Sequence, residues 1–279
     1  MVRPDLVGLP IYKMTGSGND FVMVDGRLSQ PGDWRPEEMK DVCARGTGVG
    51  ADGLVFVSPG AEPGAARMVY YNSDGSHAAM CGNAALCTTR LAAHLGIASG
   101  KGMKLETDAG VFESRAPGEP WRAELHLSPI EAPREVPGLD VRDLERRAAL
   151  AVVGVPHLVV LLDDVDRIEL EARGRALRQD PTLGPAGANV NFVSPGVNTG
   201  EWRMRTYERG VEAETLACGT GAVAAACTLD LWKIGTLPAR IITRAVLPLE
   251  VKARRLQSDE YGDIWLAGEA RMVFRGVLT

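Results

Sequence analysis

The sequence predicts an α+β fold of two related halves, each a β-sheet curled around one central helix, and three observations lead there. Short runs rich in β-branched and aromatic residues recur along almost the whole chain. Two segments, Gly82–Gly96 and Gly219–Trp232, are helix-forming but small or apolar around most of their circumference. A helix of that kind must be buried on every side, and these are too short to span a bilayer. Finally, each is opened by Cys-Gly and a polar residue, and each follows several strands, which is the mark of an internal duplication.

In chain order, "DFVMVD" from Asp20, "GLVFV" from Gly53, "RMVYY" from Arg67 and "AELHL" from Ala123 are predicted strands. "RPEEMKDVCARG" from Arg35 is a predicted helix with a glycine stop, and the first small-residue helix begins at Gly82. The proline-rich "SPIEAPREVPG" from Ser128 marks the boundary between the halves. Beyond it, "LAVVG" from Leu150, "HLVVLL" from His157, "NVNFV" from Asn189, "RMRTYE" from Arg203, "ARIIT" from Ala239 and "LEVKAR" from Leu249 are predicted strands. "DRIELEARGRALRQD" from Asp166 is an amphipathic helix, and the second small-residue helix begins at Gly219. "DIWLAGEARMVFRGVL" adds one or two strands at the C-terminus. "GSGNDFV" from Gly16 echoes "AGANVNFV" from Ala186, with an asparagine before a strand in both, although the rest of the halves does not align by eye.

Composition narrows the function. The 279 residues carry a formal net charge of −5, which gives no reason to expect nucleic acid or an anionic membrane as partner. No basic-then-apolar leader opens the chain and no apolar run reaches transmembrane length. Five cysteines (Cys43, Cys81, Cys87, Cys218, Cys227), odd in number and without a C-x-x-C spacing, point to a reducing cytoplasm rather than a disulfide framework. With four histidines besides, no metal site is expected.

The two Cys-Gly starts carry the chemistry. The first turn of a helix has unpaired N–H groups and a partial positive charge, which favour a thiolate or a carboxylate there. Gly82-Asn83 and Gly219-Thr220 offer such N–H groups after Cys81 and Cys218. Two termini of this kind facing one another would hold one carboxylate, with a sulfur on each side of the neighbouring carbon. That arrangement suits a cofactor-independent racemase or epimerase, with the donors stabilising the charge that grows as the proton leaves. A cysteine in a small-residue helix is, on the other hand, commonly a buried small hydrophobe. Cys43, Cys87 and Cys227 are read that way, and for Cys81 and Cys218 spacing alone leaves both readings open.

Six ordered motifs extend the argument: "KMTGSGNDFV" from Lys13, "GVGADGL" from Gly48, "YYNSDGSHAAMCGN" from Tyr70, "GVPH" from Gly154, "NVNF" from Asn189 and "YERGVEAETLACGTG" from Tyr207. In content and order, over nearly the whole chain, they resemble the diaminopimelate epimerase family. The resemblance implies two pseudo-symmetric α+β domains, each a strongly curved mixed sheet around a central helix, with the active site in the cleft between them. The first domain would take residues 1–130 and about 267–279, the second residues 131–266. The implied reaction interconverts LL- and meso-diaminopimelate without a cofactor, on the route to lysine and peptidoglycan, in a homodimer. Cys81 and Cys218 are then the acid/base pair, and Gly82, Asn83, Gly219 and Thr220 hold the reacting carboxylate. Asn19 and Asn72 match asparagines that contact substrate, and Asn189, Glu208 and Arg209 match residues that read the distal amino-acid head. Arg209 has planar donors suited to a carboxylate and Glu208 an anion suited to an ammonium.

The sequence also departs from the family pattern. Ala84 and Leu86 stand where glycine and arginine are common, Val155 where many members have asparagine, and Gly53 where some have glutamine. His157, the best histidine for a Cys–His hydrolase, carries no acid/base role by the resemblance, and His77 is expected to be exposed. Two other readings remain: a racemase of the same fold acting on histidine, proline or hydroxyproline, and a redox-responsive binding protein joined by a Cys81–Cys218 disulfide.

Overall fold

The computed structural model describes residues 3–142, 144–257 and 259–279. It divides into two compact units, Met1–His126 with Ala267–Thr279, and Leu127–Leu266.

The first unit contains β1 (Pro10–Gly16), β2 (Asn19–Asp25), α1 (Pro36–Cys43), β3 (Gly53–Pro59), β4 (Ala66–Asn72) and the two-residue β5 (His77–Ala78). After them come α2 (Gly82–His94), β6 (Met103–Thr107), β7 (Gly110–Arg115) and β8 (Arg122–Leu127). The pairing runs β1–β2 antiparallel, β2–β3 parallel, β3–β4 antiparallel, β4–β6 parallel and β6–β7 antiparallel. The C-terminal strand Arg271–Val277 lies antiparallel to β1 at its other edge. Parallel neighbours cannot be joined by a tight turn, so each parallel step needs a crossover, and the two crossovers carry α1 and α2.

The faces follow from the two-residue period of a strand. Val22, Val24, Leu54 and Phe56 point to one side, where they form a core with Met39, Val42 and Cys43 of α1. Their sequence neighbours Met23, Val55 and Val57 are equally buried, which alternation assigns to the opposite face. On that side α2 touches β1, β3, β4, β6 and β7, so the sheet wraps it. All residues from Asn83 to Thr89 are consequently buried, with Leu86 wholly so. A leucine sealed from water in this way stabilises the unit by about 1.5–3 kcal/mol.

The second unit contains β9 (Ile130–Glu131), β10 (Arg134–Glu135), β11 (Glu145–Val153), β12 (Val155–Leu162), α3 (Leu170–Arg178) and β13 (Asn189–Pro195). It continues with β14 (Glu201–Glu208), β15 (Ala213–Thr215), α4 (Gly219–Leu231), β16 (Ala239–Ile242), β17 (Pro248–Arg255) and β18 (Glu260–Glu269). The alternation repeats: β11–β12 antiparallel, β12–β13 parallel, β13–β14 antiparallel, β14–β16 parallel, β16–β17 antiparallel. The parallel steps again carry the helices. Leu170 and Leu177 of α3 join a core with Leu158, Val160, Val190 and Phe192, while α4 touches β11, β12, β13, β16 and β17. Each unit is thus a mixed sheet around a helix that is buried on all sides, as the small-residue pattern requires.

Several boundaries differ from the sequence expectation. The helix expected from Asp166 is a 3-10 turn at Val165–Arg167 followed by the shorter α3, because Asp164 caps the turn and separates it from the helix. α1 stops at Cys43, where Ala44 turns to extended backbone, before the glycine at 46 is reached. β1, β6 and β7 come in addition to the expected strands.

Candidate active site

Cys81 and Cys218 occupy the same position in the two units, the N-cap of the thirteen-residue helices α2 and α4. Their backbones are extended, with φ −143° and ψ 121° for Cys81 and φ −132° and ψ 110° for Cys218. Neither side chain caps its own helix. The carbonyls accept from Ala85 and Ala222, each at 2.9 Å, which starts the helical ladder. The N–H groups of Gly82, Asn83, Gly219 and Thr220 precede that ladder and have no intrahelical acceptor. Cys218 Sγ lies 3.7 Å from Thr220 Oγ1.

The remaining cysteines are packing residues. Burial pushes the Cys43 thiol up to about 11 and the Cys227 thiol to about 12. It also raises Cys87 well above the ordinary thiol range, with the nearby Cys81 adding to the effect. All three stay protonated at neutral pH and are buried.

Sheet register relates the two units residue by residue. Phe21 pairs with Gly53 across β2 and β3, and His157 pairs with Asn189 across β12 and β13. Following these registers makes Asn19 the counterpart of Val155, and Gly53 the counterpart of Asn189. Asn72 pairs with Gly53, and continuing the Val190–Tyr207 register by one residue puts Glu208 opposite Asn189, so Asn72 and Glu208 are also counterparts. The sequence echo between Asn19 and Asn189 is therefore misaligned, because it matches the start of a second strand with the start of a third. Family departures at Val155 and Gly53 fall on the two positions whose counterparts, Asn19 and Asn189, are polar.

In the first unit, Asn83 is buried and its Nδ2 donates to Asn19 Oδ1 at 2.7 Å. Asn19 Nδ2 in turn donates to Asp52 Oδ2 at 2.9 Å. Asp52 belongs to an ion-pair cluster in which Arg45 bonds both Asp20 and Asp52, and Lys13 bonds Asp20 and the Gly50 carbonyl. Burial works to raise the Asp20 carboxyl, but Arg45 and Lys13 together hold it below the usual carboxylate range. Asn72 is engaged elsewhere: it donates to Ser76 Oγ at 3.0 Å within the turn that leaves β4. Gly53 is sterically required here, since a Cβ would lie 2.4 Å from the Tyr70 ring and 2.5 Å from the Tyr71 carbonyl. Ala84 and Leu86 are both wholly buried, so the departures in α2 are filled by packing. His77 is exposed, as expected, and bonds Asp108 at 2.7 Å.

In the second unit, Asn189 is buried and accepts the Arg209 backbone N–H at 2.8 Å. Arg209 Nη1 also reaches the Ala186 carbonyl at 3.4 Å. Burial raises the Glu208 carboxyl above the ordinary range. Asn191 supports this site, although its place in the sequence does not single it out: it donates to His157 Nδ1 and the Leu158 carbonyl, each at 3.3 Å, and accepts from Thr206 Oγ1 at 3.0 Å. That polarity leaves the His157 proton on Nε2. Burial, with the charge of Arg209 adding, pushes His157 down to about 3, so it is neutral at physiological pH. Lys13, Asp20 and Asp52 lie in quoted motifs, but Arg45 has no motif of its own. Among the described residues no cluster of side chains could hold a metal ion, and no helix is long and apolar enough to cross a membrane.

The chain matches the family model described as "Diaminopimelate epimerase" over residues 11–119 and 149–234. It is 46% identical over 280 residues to a diaminopimelate epimerase of Gemmatimonas aurantiaca, covering 97% of this chain and 99% of that protein. A second, from Aquifex aeolicus, is 37% identical over 282 residues, with 97% and 98% covered. Among solved structures, a phenazine biosynthesis protein of the PhzF family from Bacillus anthracis superposes with a TM-score of 0.71 at 16% identity, covering 97% of this chain and 99% of that one. A hydroxyproline epimerase from Agrobacterium vitis superposes with a TM-score of 0.67 at 15% identity, covering 99% and 93%. At these identities the two structures establish the fold alone.

Proposed function

This chain belongs to the diaminopimelate epimerase family, and from that premise we propose that it interconverts LL- and meso-diaminopimelate without a cofactor. The observation that carries the reading is the matched pair of Cys-led helix starts, at equivalent points of the same strand order. In this reading Cys81 and Cys218 are the acid/base residues. One enters as thiolate and takes the α-proton, forming an S–H bond as the C–H bond breaks. The other enters as thiol and delivers its proton to the opposite face of the carbon. The two sulfurs finish with their protonation exchanged, so the reverse reaction uses the same groups in opposite roles.

The electron pair released from the C–H bond spreads into the α-carboxylate. First-turn N–H groups of Gly82, Asn83, Gly219 and Thr220 are suited to that charge, and one such donor lowers a barrier by about 2.7–4 kcal/mol. Asn19 and Asn72 match asparagines that contact the substrate. At the distal end, Arg209 takes the carboxylate and Glu208 the ammonium, with Asn189 holding the Arg209 backbone in place. A cation beside Glu208 opposes the burial that raises its carboxyl, so substrate binding favours the ionised form. The reaction serves lysine and peptidoglycan synthesis, in a cytoplasmic homodimer.

Turnover of LL-diaminopimelate in deuterium oxide tests the reading, with one solvent deuteron expected at each inverted α-carbon. Cys81→Ala and Cys218→Ala are each expected to abolish inversion with far-UV circular dichroism unchanged. Substantial inversion by either variant sinks the assignment. Histidine, proline and hydroxyproline in the same assay are expected to be inert.

A further inference from the structure

Hydrogen-bond polarity in the first unit runs in one direction, from a charged cluster toward α2. Asp52 as a carboxylate can only accept, so Asn19 must turn its amide nitrogen toward it, as the 2.9 Å contact has it. The Asn19 oxygen is then left to accept, and Asn83 must meet it with its own nitrogen, at 2.7 Å. The Asn83 oxygen is thereby turned the other way. It is buried and has no hydrogen-bond partner among the described residues. A buried acceptor in that condition costs free energy until a donor arrives. The cluster behind Asp52 holds two cations and two anions, Lys13 and Arg45 with Asp20 and Asp52, so it orients the amides without adding net charge.

We propose that this cluster is the positioning device of the first half-site: through Asp52 it fixes the amides of Asn19 and Asn83, so that Asn83 presents its oxygen as acceptor to the α-ammonium of the substrate. The proposal rests on the epimerase reading for the identity of that ammonium. Arg45, Asp20 and Lys13 act through Asp52, and none of them touches the substrate. A carboxylate two amides away thus decides whether residue 83 offers an acceptor or a donor.

The test is a double-mutant cycle in the full-length chain with Asp52→Asn, Asn19→Asp and the two combined. Asp52→Asn lets the amide chain reverse, and Asn19→Asp sets two carboxylates against each other. Each is expected to lower kcat/KM by about ten-fold or more, chiefly through KM, since a hydrogen bond to a charged group is lost. In the combined variant the amide introduced at position 52 can donate to the carboxylate introduced at position 19. That carboxylate again accepts from Asn83, so the kcat/KM of the combined variant is expected to exceed that of both single variants. Losses that simply multiply overturn the proposal. The side-chain amide NMR signals of Asn83 give a readout independent of turnover and are expected to shift in Asp52→Asn and to return in the combined variant. An inactive wild-type chain whose Asn83 signals still follow Asp52 refutes the epimerase reading and keeps the positioning device. An active chain whose Asn83 signals ignore Asp52 does the reverse. Should Asp52→Asn fail to fold, Asp52→Ser, whose hydroxyl likewise no longer obliges Asn19 to donate, is read by the same signals, with the same shift expected and an unmoved signal overturning the proposal.

Discussion

Gly221→Ala tests how tightly the second helix start is held. Gly221 follows Thr220 in the first turn of α4, and a Cβ there would lie 2.3 Å from Asn191 Oδ1 and 3.2 Å from Cys218 Cβ. Asn191 cannot give way cheaply, because it is wholly buried and bonded to His157, Leu158 and Thr206. The added methyl therefore displaces the Asn191 amide or pushes α4 outward with Cys218. Overpacking costs about 1–3 kcal/mol, and a lost buried hydrogen bond with its polar group left unmet costs about 1–3 kcal/mol more. Alanine returns at most about 1 kcal/mol through helix propensity. The net is a loss of roughly 1–6 kcal/mol, which at about 2–4 °C per kcal/mol lowers the melting temperature by roughly 2–24 °C. Activity is expected to fall by about a hundred-fold, the usual consequence of moving a reacting group by about 1 Å. Gly102→Ala is the control, since nothing lies within 4 Å of its Cβ position, and its melting temperature is expected to stay within about 2 °C. Thermal melts and steady-state epimerisation on both variants decide the matter. A Gly221→Ala protein as stable and active as wild type refutes the close-approach argument.

Three further outcomes follow from the geometry. His157 has a folded pKa pushed down to about 3 from 6.5, so the stability tied to its neutral form is fully present above pH 6.5 and is lost as pH falls toward 3. His157→Gln is expected to flatten the decline in melting temperature between pH 6.5 and 5, and an unchanged slope counts against burial as the cause. Cys43 and Cys227 are raised to about 11 and about 12, so their stabilising contribution holds below the unfolded value of about 9 and is lost as pH rises through the folded values. Alkylation mapped by mass spectrometry at pH 8 is expected to label Cys81 before Cys43, Cys87 or Cys227, and preferential labelling of any of those three refutes their assignment to packing. Arg209→Ala removes the guanidinium expected at the distal carboxylate and should lower kcat/KM for diaminopimelate by about ten-fold to a hundred-fold through KM; unchanged turnover argues for a different distal contact.

The parts legible in the sequence were those with strong local signals. The two helices wrapped by sheet follow from the absence of a polar face in "GTGAVAAACTLDL", which admits no arrangement but burial on all sides. The strands "GLVFV" and "NVNFV" are legible because both their faces are covered, one by a small-residue helix and the other by α1 or α3. β1 is not legible because Lys13 sits inside it among apolar residues and a bulge between Lys13 and Met14 breaks the alternation. Its lysine is buried only because Asp20 and the Gly50 carbonyl meet it, and those partners are remote in sequence. Arg45 was invisible for the same reason: its role depends on two carboxylates brought together by parallel pairing of β2 and β3. Asn191 alternates with apolar neighbours along β13 and reads as a surface position, yet the α4 side of that strand is buried.

Register shows how two units of like strand order carry different side chains at equivalent positions. The two helix starts are alike: Cys81 and Cys218 share backbone geometry, each is followed by glycine, and each opens a helix of the same length. The side chains at the other counterpart positions diverge. Asn19 answers to Val155, Gly53 to Asn189, Asn72 to Glu208 and Asn83 to Thr220. The divergence extends to what stands behind each helix start. In the first unit a neutral-sum cluster of four charges backs Asn19 and Asn83. In the second, the uncharged His157–Asn191–Thr206 network lies under α4. A charged side chain appears at the counterpart positions only in the second unit, as Glu208, with Arg209 following it. In the proposed reading the backbone donors and the sulfurs, alike in the two units, act on atoms every α-amino acid has. In the same reading the strand-end side chains, which differ between the units, supply the discrimination, because they can differ without moving the helix starts.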